Sequence, residues 1–305
     1  MRIGLINQLH GRPESDPPAP TWASIKERAL AAERAGFDVF VFEDALLFGA
    51  EDAPDGYWES MSIAAALAVA TERIDLGQSV VNAPYRSPAL TARIAETLDE
   101  ISGGRYVLGI GAGNTPDSDY EAFGFPTNRR YSRFAEAIQI IHSLLKTGQA
   151  DFSGEFYSAN GAELVLRGPR PQGPPINIAA GGTKMLGLVA RYADAWNWWG
   201  WDETYEQIAE RIDPLVEQLT AACRDQGRDP DTLLRTFDLY SVVAPGFDPA
   251  VANMANPVDG SAEEIAQQLL RLGHLGFAEI RCDVFPKTAE AVTAMQPVVE
   301  LVHAG

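Results

Sequence analysis

The chain has 305 residues, 46% of them hydrophobic, and a formal net charge of -18 at pH 7. That length suits one α/β barrel and that apolar share fills a large core, while the charge opposes encounter with nucleic acid or an anionic membrane. No run of eighteen apolar residues is present to span a bilayer. Cys223 and Cys282 lie far apart, as in a reduced cytoplasmic protein, and the four scattered histidines give no metal-ligand spacing.

The amino end opens directly as a strand over residues 2–7, without the pattern of a signal peptide. Trp22, Ile25, Ala29, Ala32 and Ala35 fall on one face of a helix that Gly36 ends. Residues 39–42 form a continuous apolar strand, as expected when both faces are buried. A helix over 60–70, a strand over 74–81 and a helix from Pro88 to residue 101 follow. A strand over 106–110 leads to a helix over 130–145.

Residues 151–173 are rich in Gly and Pro and read as an excursion over the barrel mouth. Then come strand 176–179, helix 185–193, strand 195–198, helix 203–224 and strand 234–244. Residues 245–260 are a second excursion. Helix 262–272, strand 279–283 and helix 289–302 complete eight strand–helix units, which fits a single-domain (β/α)8 TIM barrel spanning 1–305, with loop excursions over the carboxyl-terminal mouth. A doubly wound open sheet is the competing fold.

Chemistry in such a barrel sits at the carboxyl ends of the strands. Glu43 and Asp44 follow the second strand directly. They read either as a pair of proton-handling carboxylates or as a helix-capping Asp beside a solvated Glu. Gln78, Ser79 and Asn82 bring polar side chains to the end of the third strand, which on local pattern reads first as an ordinary strand-to-loop transition. Gly109, Gly111 and Gly113 strip side chains from the fourth, leaving room for a flat ligand, and Asn114 offers an amide beyond them. The spacing is not a Rossmann fingerprint.

Gly181, Gly182 and Thr183 open a helix after the fifth strand. The turn reads either as a phosphate cradle or as a tight βα turn with Thr183 as N-cap. Trp196, Trp198, Trp199 and Trp201 crowd the end of the sixth strand. His10, which follows the first strand, reads as a solvated loop residue ahead of a catalytic base, and Arg281 with Asp283 as an ion pair inside the barrel.

Taken together, these segments resemble the luciferase-like oxidoreductase superfamily, the luciferase-like monooxygenases and deazaflavin-dependent reductases. The likeness rests on Val41-Phe42-Glu43-Asp44, on Thr97-Leu98-Asp99 before Ser102-Gly103-Gly104-Arg105, and on Leu108-Gly109-Ile110-Gly111-Ala112-Gly113. Asp119-Tyr120-Glu121-Ala122-Phe123-Gly124 with Arg129-Arg130, and Ala179-Ala180-Gly181-Gly182 with Arg191-Tyr192-Ala193-Asp194-Ala195, extend it.

The resemblance implies a barrel binding coenzyme F-420, or alternatively FMN. The ring would lie over Ser79 and Val80, with a non-proline cis peptide between them. The phosphate would meet Gly181, Gly182 and Thr183, and Asn82, Ala112, Gly113 and Asn114 would line the ring or its ribityl chain. Many relatives carry His where Asp44 stands, and some deazaflavin enzymes carry Glu where Asn114 stands.

The implied activity is hydride transfer between F-420 and a small organic substrate, with Glu43 and Asp44 as catalytic groups. The alternatives are an FMN-dependent monooxygenase fed by a flavin reductase, a non-catalytic flavin-binding barrel, and a cofactor-free hydrolase or lyase. A homodimer is the expected assembly.

Overall fold

In the computed structural model, residues 1–14, 18–49, 55–113 and 116–305 are described. Eight strands, β1 (Arg2–Asn7), β2 (Val39–Phe42), β3 (Asp75–Gln78), β4 (Tyr106–Gly111), β5 (Ile176–Ala179), β6 (Ala195–Gly200), β7 (Leu234–Val243) and β8 (Glu279–Phe285), run parallel. β8 pairs with β1, and β4 with β5, so the sheet closes on itself as a TIM barrel. Past Gln78 the third strand is interrupted, and Val81–Asn82 resumes pairing against the end of β4.

The outer layer is α1 (Trp22–Ala35), α2 (Ser60–Ala70), α3 (Pro88–Ser102), α4 (Arg130–Thr147), α5 (Thr183–Tyr192), α6 (Tyr205–Asp225), α7 (Ala262–Gly273), α8 (Ala289–Ala294) and α9 (Gln296–Ala304). Their ends follow local chemistry. Thr21, Thr204 and Ser261 form capping boxes at α1, α6 and α7, and Gly36 stops α1 at φ 89°. The helix expected over 289–302 is two helices, broken at Met295, with Pro297 in the first turn of the second.

Alternation along the strands separates two interiors. Ile3, Leu5, Phe40, Phe42, Leu108, Ile110, Trp196 and Ile280 face outward and are fully buried in the main core. The lumen holds a smaller apolar plug, Ile6, Val39 and Val41 against Tyr240. Beside the plug the lumen is polar. Arg281 donates to Glu279 at 2.6 Å and lies 3.6 Å from Asp238, while Arg2 bridges Glu279 and Asp75 at the opposite end. The expected Arg281–Asp283 pair is absent, because Asp283 is held by Lys287 and Gln8.

Residues 151–173 do not cross the mouth as expected. Gln149–Ser153 and Ser158–Glu163 form an antiparallel hairpin along the flank of α4. Its tip is fixed by Glu136, which accepts the backbone N–H groups of Glu155, Phe156 and Tyr157 at 2.8, 2.8 and 3.0 Å. The following stretch docks on α3 through Arg167–Glu96 and Arg170–Asp99.

The 245–260 excursion does fold back over the end of β7. Val258 exchanges backbone bonds with Ser241 and Val243, and Asp202 accepts the N–H groups of Ala255 and Asn256. A small antiparallel sheet absent from the sequence reading, His10–Gly11, Leu47–Phe48 and Asp55–Tyr57, stands above β1 and β2.

Candidate active site

The two carboxylates after β2 part company. Glu43 continues the lumen face of Val39 and Val41, and its Oε2 accepts the Leu9 N–H at 3.3 Å. Burial pushes its carboxyl up to about 8, and the nearby Asp283 charge adds to the effect. Asp44 is turned the other way and is only 8% exposed. Arg86 engages both of its oxygens, at 2.6 and 3.0 Å. The Ser60 hydroxyl donates to it at 2.7 Å and the Asn82 N–H at 3.0 Å. Asp44 therefore ties the start of α2 to the loop beyond β3, with its lone pairs aimed at those partners.

The floor of the mouth is the peptide Ser79–Val80, which is cis, as the resemblance implies. The Ser79 hydroxyl donates to Asp238 Oδ2 at 2.5 Å and accepts from Asn197 Nδ2 at 3.2 Å and Arg281 Nη1 at 3.3 Å. Burial pushes the Asp238 carboxyl up to about 6, against the pull of Arg281. Asn197 Oδ1, Trp198 Nε1 and Ser241 Oγ are buried near this end of the barrel without a hydrogen-bond partner. Such atoms carry a desolvation cost of roughly 1–3 kcal/mol each unless something polar meets them.

The glycines of β4 serve its neighbours more than open space. A Cβ on Gly109 would stand 1.9 Å from the Gln78 carbonyl oxygen, and one on Gly111 would stand 3.0 Å from Val80 Cγ2. Gly113 has φ +87° and lies under Tyr120 Oη and Asn82 Oδ1. The room read in the sequence as space for a flat ligand is thus filled by β3 and by these two side chains. Asn82 is buried, and its Oδ1 accepts the Tyr120 hydroxyl at 2.9 Å. Ala112 and Gly113 are half-buried at the rim, and Asn114 lies outside the described residues.

After β5, Gly181 makes room for the Trp198 ring, which a Cβ would meet at 2.2 Å. Gly182 is exposed, with nothing within 4 Å of a Cβ, and it is the N-cap of α5. Thr183 is the first helical residue, not the N-cap. Its hydroxyl donates to Gln218 at 2.9 Å. No side chain caps this helix, so its first-turn N–H groups face outward unclaimed by a cap. That exposed turn and the unpartnered atoms beside the floor suit a phosphorylated ring compound.

Trp196 belongs to the outer core, while Trp199 and Trp201 are exposed and Trp201 stacks on Tyr240 at 5.0 Å. His10 is not a solvated loop residue. It is half-buried, 3.4 Å from Asp55, with its ring against Tyr57, and burial lowers its basicity. Sequence reasoning missed Asn197, Asp238, Tyr240 and Lys287. A charged residue inside the apolar run of β7 was the available signal for Asp238.

All described residues of the proposed site stand at the carboxyl ends of the strands, on one rim. A family model described as luciferase-like monooxygenase matches residues 1–279. A 5,10-methylenetetrahydromethanopterin reductase of Archaeoglobus fulgidus is 42% identical over 133 residues, 44% of this chain and 39% of that protein, so well under half of the relative's length is spanned. The pyrimidine monooxygenase RutA of Methylobacterium radiotolerans is 32% identical over 270 residues, 86% of this chain and 67% of RutA. An F-420-dependent secondary alcohol dehydrogenase, solved with an F-420–acetone adduct, shares the fold with a TM-score of 0.80 at 18% identity, over 99% of this chain and 98% of that one. Closed parallel barrel, rim and family match agree: the chain belongs to the luciferase-like monooxygenase family.

Proposed function

We propose that this chain is an F-420-dependent oxidoreductase that transfers hydride to or from a small organic substrate. The observation that carries this reading is the convergence of the half-buried Glu43, the Ser79–Val80 floor and the exposed Gly182–Thr183 helix start on one barrel mouth. When bound, the deazaflavin would supply a hydride donor or acceptor. Ser79, Val80, Ala112 and Gly113 would support its ring, and the Gly181–Thr183 turn would hold its phosphate.

Glu43 would hold or release the proton that accompanies hydride transfer. Asp44 is a positioning residue in this scheme, since it acts through Arg86 and the Asn82 backbone. The structural likeness to an F-420-dependent alcohol dehydrogenase and the sequence likeness to an archaeal reductase support the choice of coenzyme.

The likeness to RutA favours one second reading, an FMN-dependent monooxygenase served by a flavin reductase. Fluorescence titration with F-420 and with FMN separates the two. The first reading expects F-420 to bind at least tenfold tighter, the second expects the reverse, and binding of neither removes both.

We assign the whole chain to one catalytic barrel acting in the cytoplasm. Among the described residues no helix is long and apolar enough to cross a membrane, and both cysteines are free. A homodimer joined through α3 is part of the proposal. Leu90 and Ile101 on that helix, with Val165 and Leu166, are exposed apolar side chains. Light scattering that finds a monomer at micromolar concentration would remove it.

A further inference from the structure

One tripeptide, Asn7-Gln8-Leu9 at the end of β1, touches three charged groups. The Asn7 side chain accepts from the buried Arg28 at 2.9 Å and donates to the Gln8 carbonyl at 3.0 Å. The Gln8 side chain donates to Asp283 Oδ2 at 3.0 Å. The Leu9 N–H donates to Glu43. The other Asp283 oxygen is paired with Lys287, whose ammonium also lies 3.4 Å from the centroid of the Phe285 ring. Asp283 is fully buried. Glu43, Asp283 and Lys287 thus form a charge cluster whose two carboxylates are held by neighbouring residues of one short stretch, Asp283 by the Gln8 side chain and Glu43 by the Leu9 N–H.

We propose that Lys287, acting through Asp283, is the positioning residue that keeps the Glu43 proton exchangeable during turnover. Asp283 places a negative charge near Glu43 and favours its neutral form. Lys287 opposes that, because its positive charge favours the ionised form. The result is a carboxyl that neither loses its proton permanently nor retains it permanently near neutral pH.

Burial drives Glu43 and Lys287 towards each other, to about 8 in both cases, in keeping with this balance. Among the described residues, Tyr57 from the small sheet and Tyr240 from β7 also lie around Glu43, and burial keeps both neutral, while the buried Arg28 on α1 adds a positive charge near Asp283 and Lys287. His10 faces Asp283 and Lys287 from the β1 side.

The inference rests on Glu43 handling a proton, but its test needs no coenzyme. Infrared titration of the coenzyme-free protein follows the protonated carboxyl band, assigned by its loss in Glu43→Gln. Asp283→Asn is expected to lower the Glu43 midpoint by about one pH unit or more, and Lys287→Met to raise it by a similar amount. Lys287→Arg restores the native midpoint.

Midpoints that move by less than about 0.3 unit in the folded variants would overturn the proposal. If Asp283→Asn does not fold, Lys287→Met against Lys287→Arg decides alone. Midpoints that shift as described while Glu43→Gln turns over normally would instead remove the catalytic reading of Glu43 and leave the cluster intact.

Discussion

Glu43 and Asp44 are consecutive in the chain yet open onto opposite sides of the barrel wall. Glu43 faces the lumen beside Leu9, and Asp44 faces α2 and Arg86. The two carboxylates are therefore separable by experiment. Glu43→Gln should lower turnover by at least about a hundredfold, the ordinary scale for losing a general acid or base, with little change in coenzyme affinity. Asp44→Asn should act on stability first. It leaves Arg86 short of its buried partner, a loss of roughly 3–5 kcal/mol, visible as a lower Tm. An unchanged Tm in Asp44→Asn with abolished turnover would return Asp44 to the proton chemistry.

The raised Glu43 carboxyl fixes a sign for stability against pH. Its folded value of about 8 lies above the ordinary value of 4.5. Between those values the folded protein binds the proton and the unfolded chain does not. The contribution is present in full below the lower value and is lost as pH rises through the upper one, with a slope of at most about 1.4 kcal/mol per pH unit. Thermal melts from pH 5 to 8 should show a smaller decline of Tm with pH in Glu43→Gln than in the native protein. Identical slopes would mean that Glu43 titrates normally.

Gly109 and Gly182 make a contrasting pair. A methyl on Gly109 runs into a backbone oxygen of β3, while a methyl on Gly182 meets open space at φ -103°. Gly109→Ala should cost about 3 kcal/mol or more, since backbone cannot yield cheaply. Gly182→Ala should stay within about 0.5 kcal/mol of the native protein. Denaturant unfolding of both variants checks this directly, and equal midpoints would contradict the packing described.

Ser79 is the hub of the floor. Ser79→Ala deprives Asp238 of a hydroxyl donor at 2.5 Å and leaves the carboxylate to Asn197 and a more distant Arg281. The expected cost is about 1–3 kcal/mol of stability. Coenzyme affinity should fall as well if the floor bears the ring. Calorimetric unfolding and a fluorescence titration read the two effects separately.

The barrel was legible because its signals are local. Short apolar runs such as Val39–Phe42, helix stops such as Gly36 and the proline at the start of α3 each act within a few residues. The rim was legible for a simpler reason, that every strand end of a parallel barrel arrives there. What escaped depended on alternation and on distant partners. Strand alternation persists two residues past β2, through Glu43 to Asp44, which sends Asp44 outward, and nothing in the local sequence announces Arg86. Asp283 has Arg281 two residues away but pairs with Lys287 and with Gln8, at the far end of the chain. The hairpin over 149–163 has a turn-rich composition that suits a lid equally well, and partners on and beside α4, Glu136 and Arg133 among them, decide where it lies.

The Ser79 hydroxyl is moored to β6, β7 and β8 through Asn197, Asp238 and Arg281. Those strands form the far wall of the barrel from its own. The moorings act as guy ropes across the aperture and oppose any widening of the cylinder. Breathing that admits a bulky reactant must then come from the overhanging segments, chiefly the one seated on Asp202. Exchanging that awning should retune the clientele without loosening the chamber beneath.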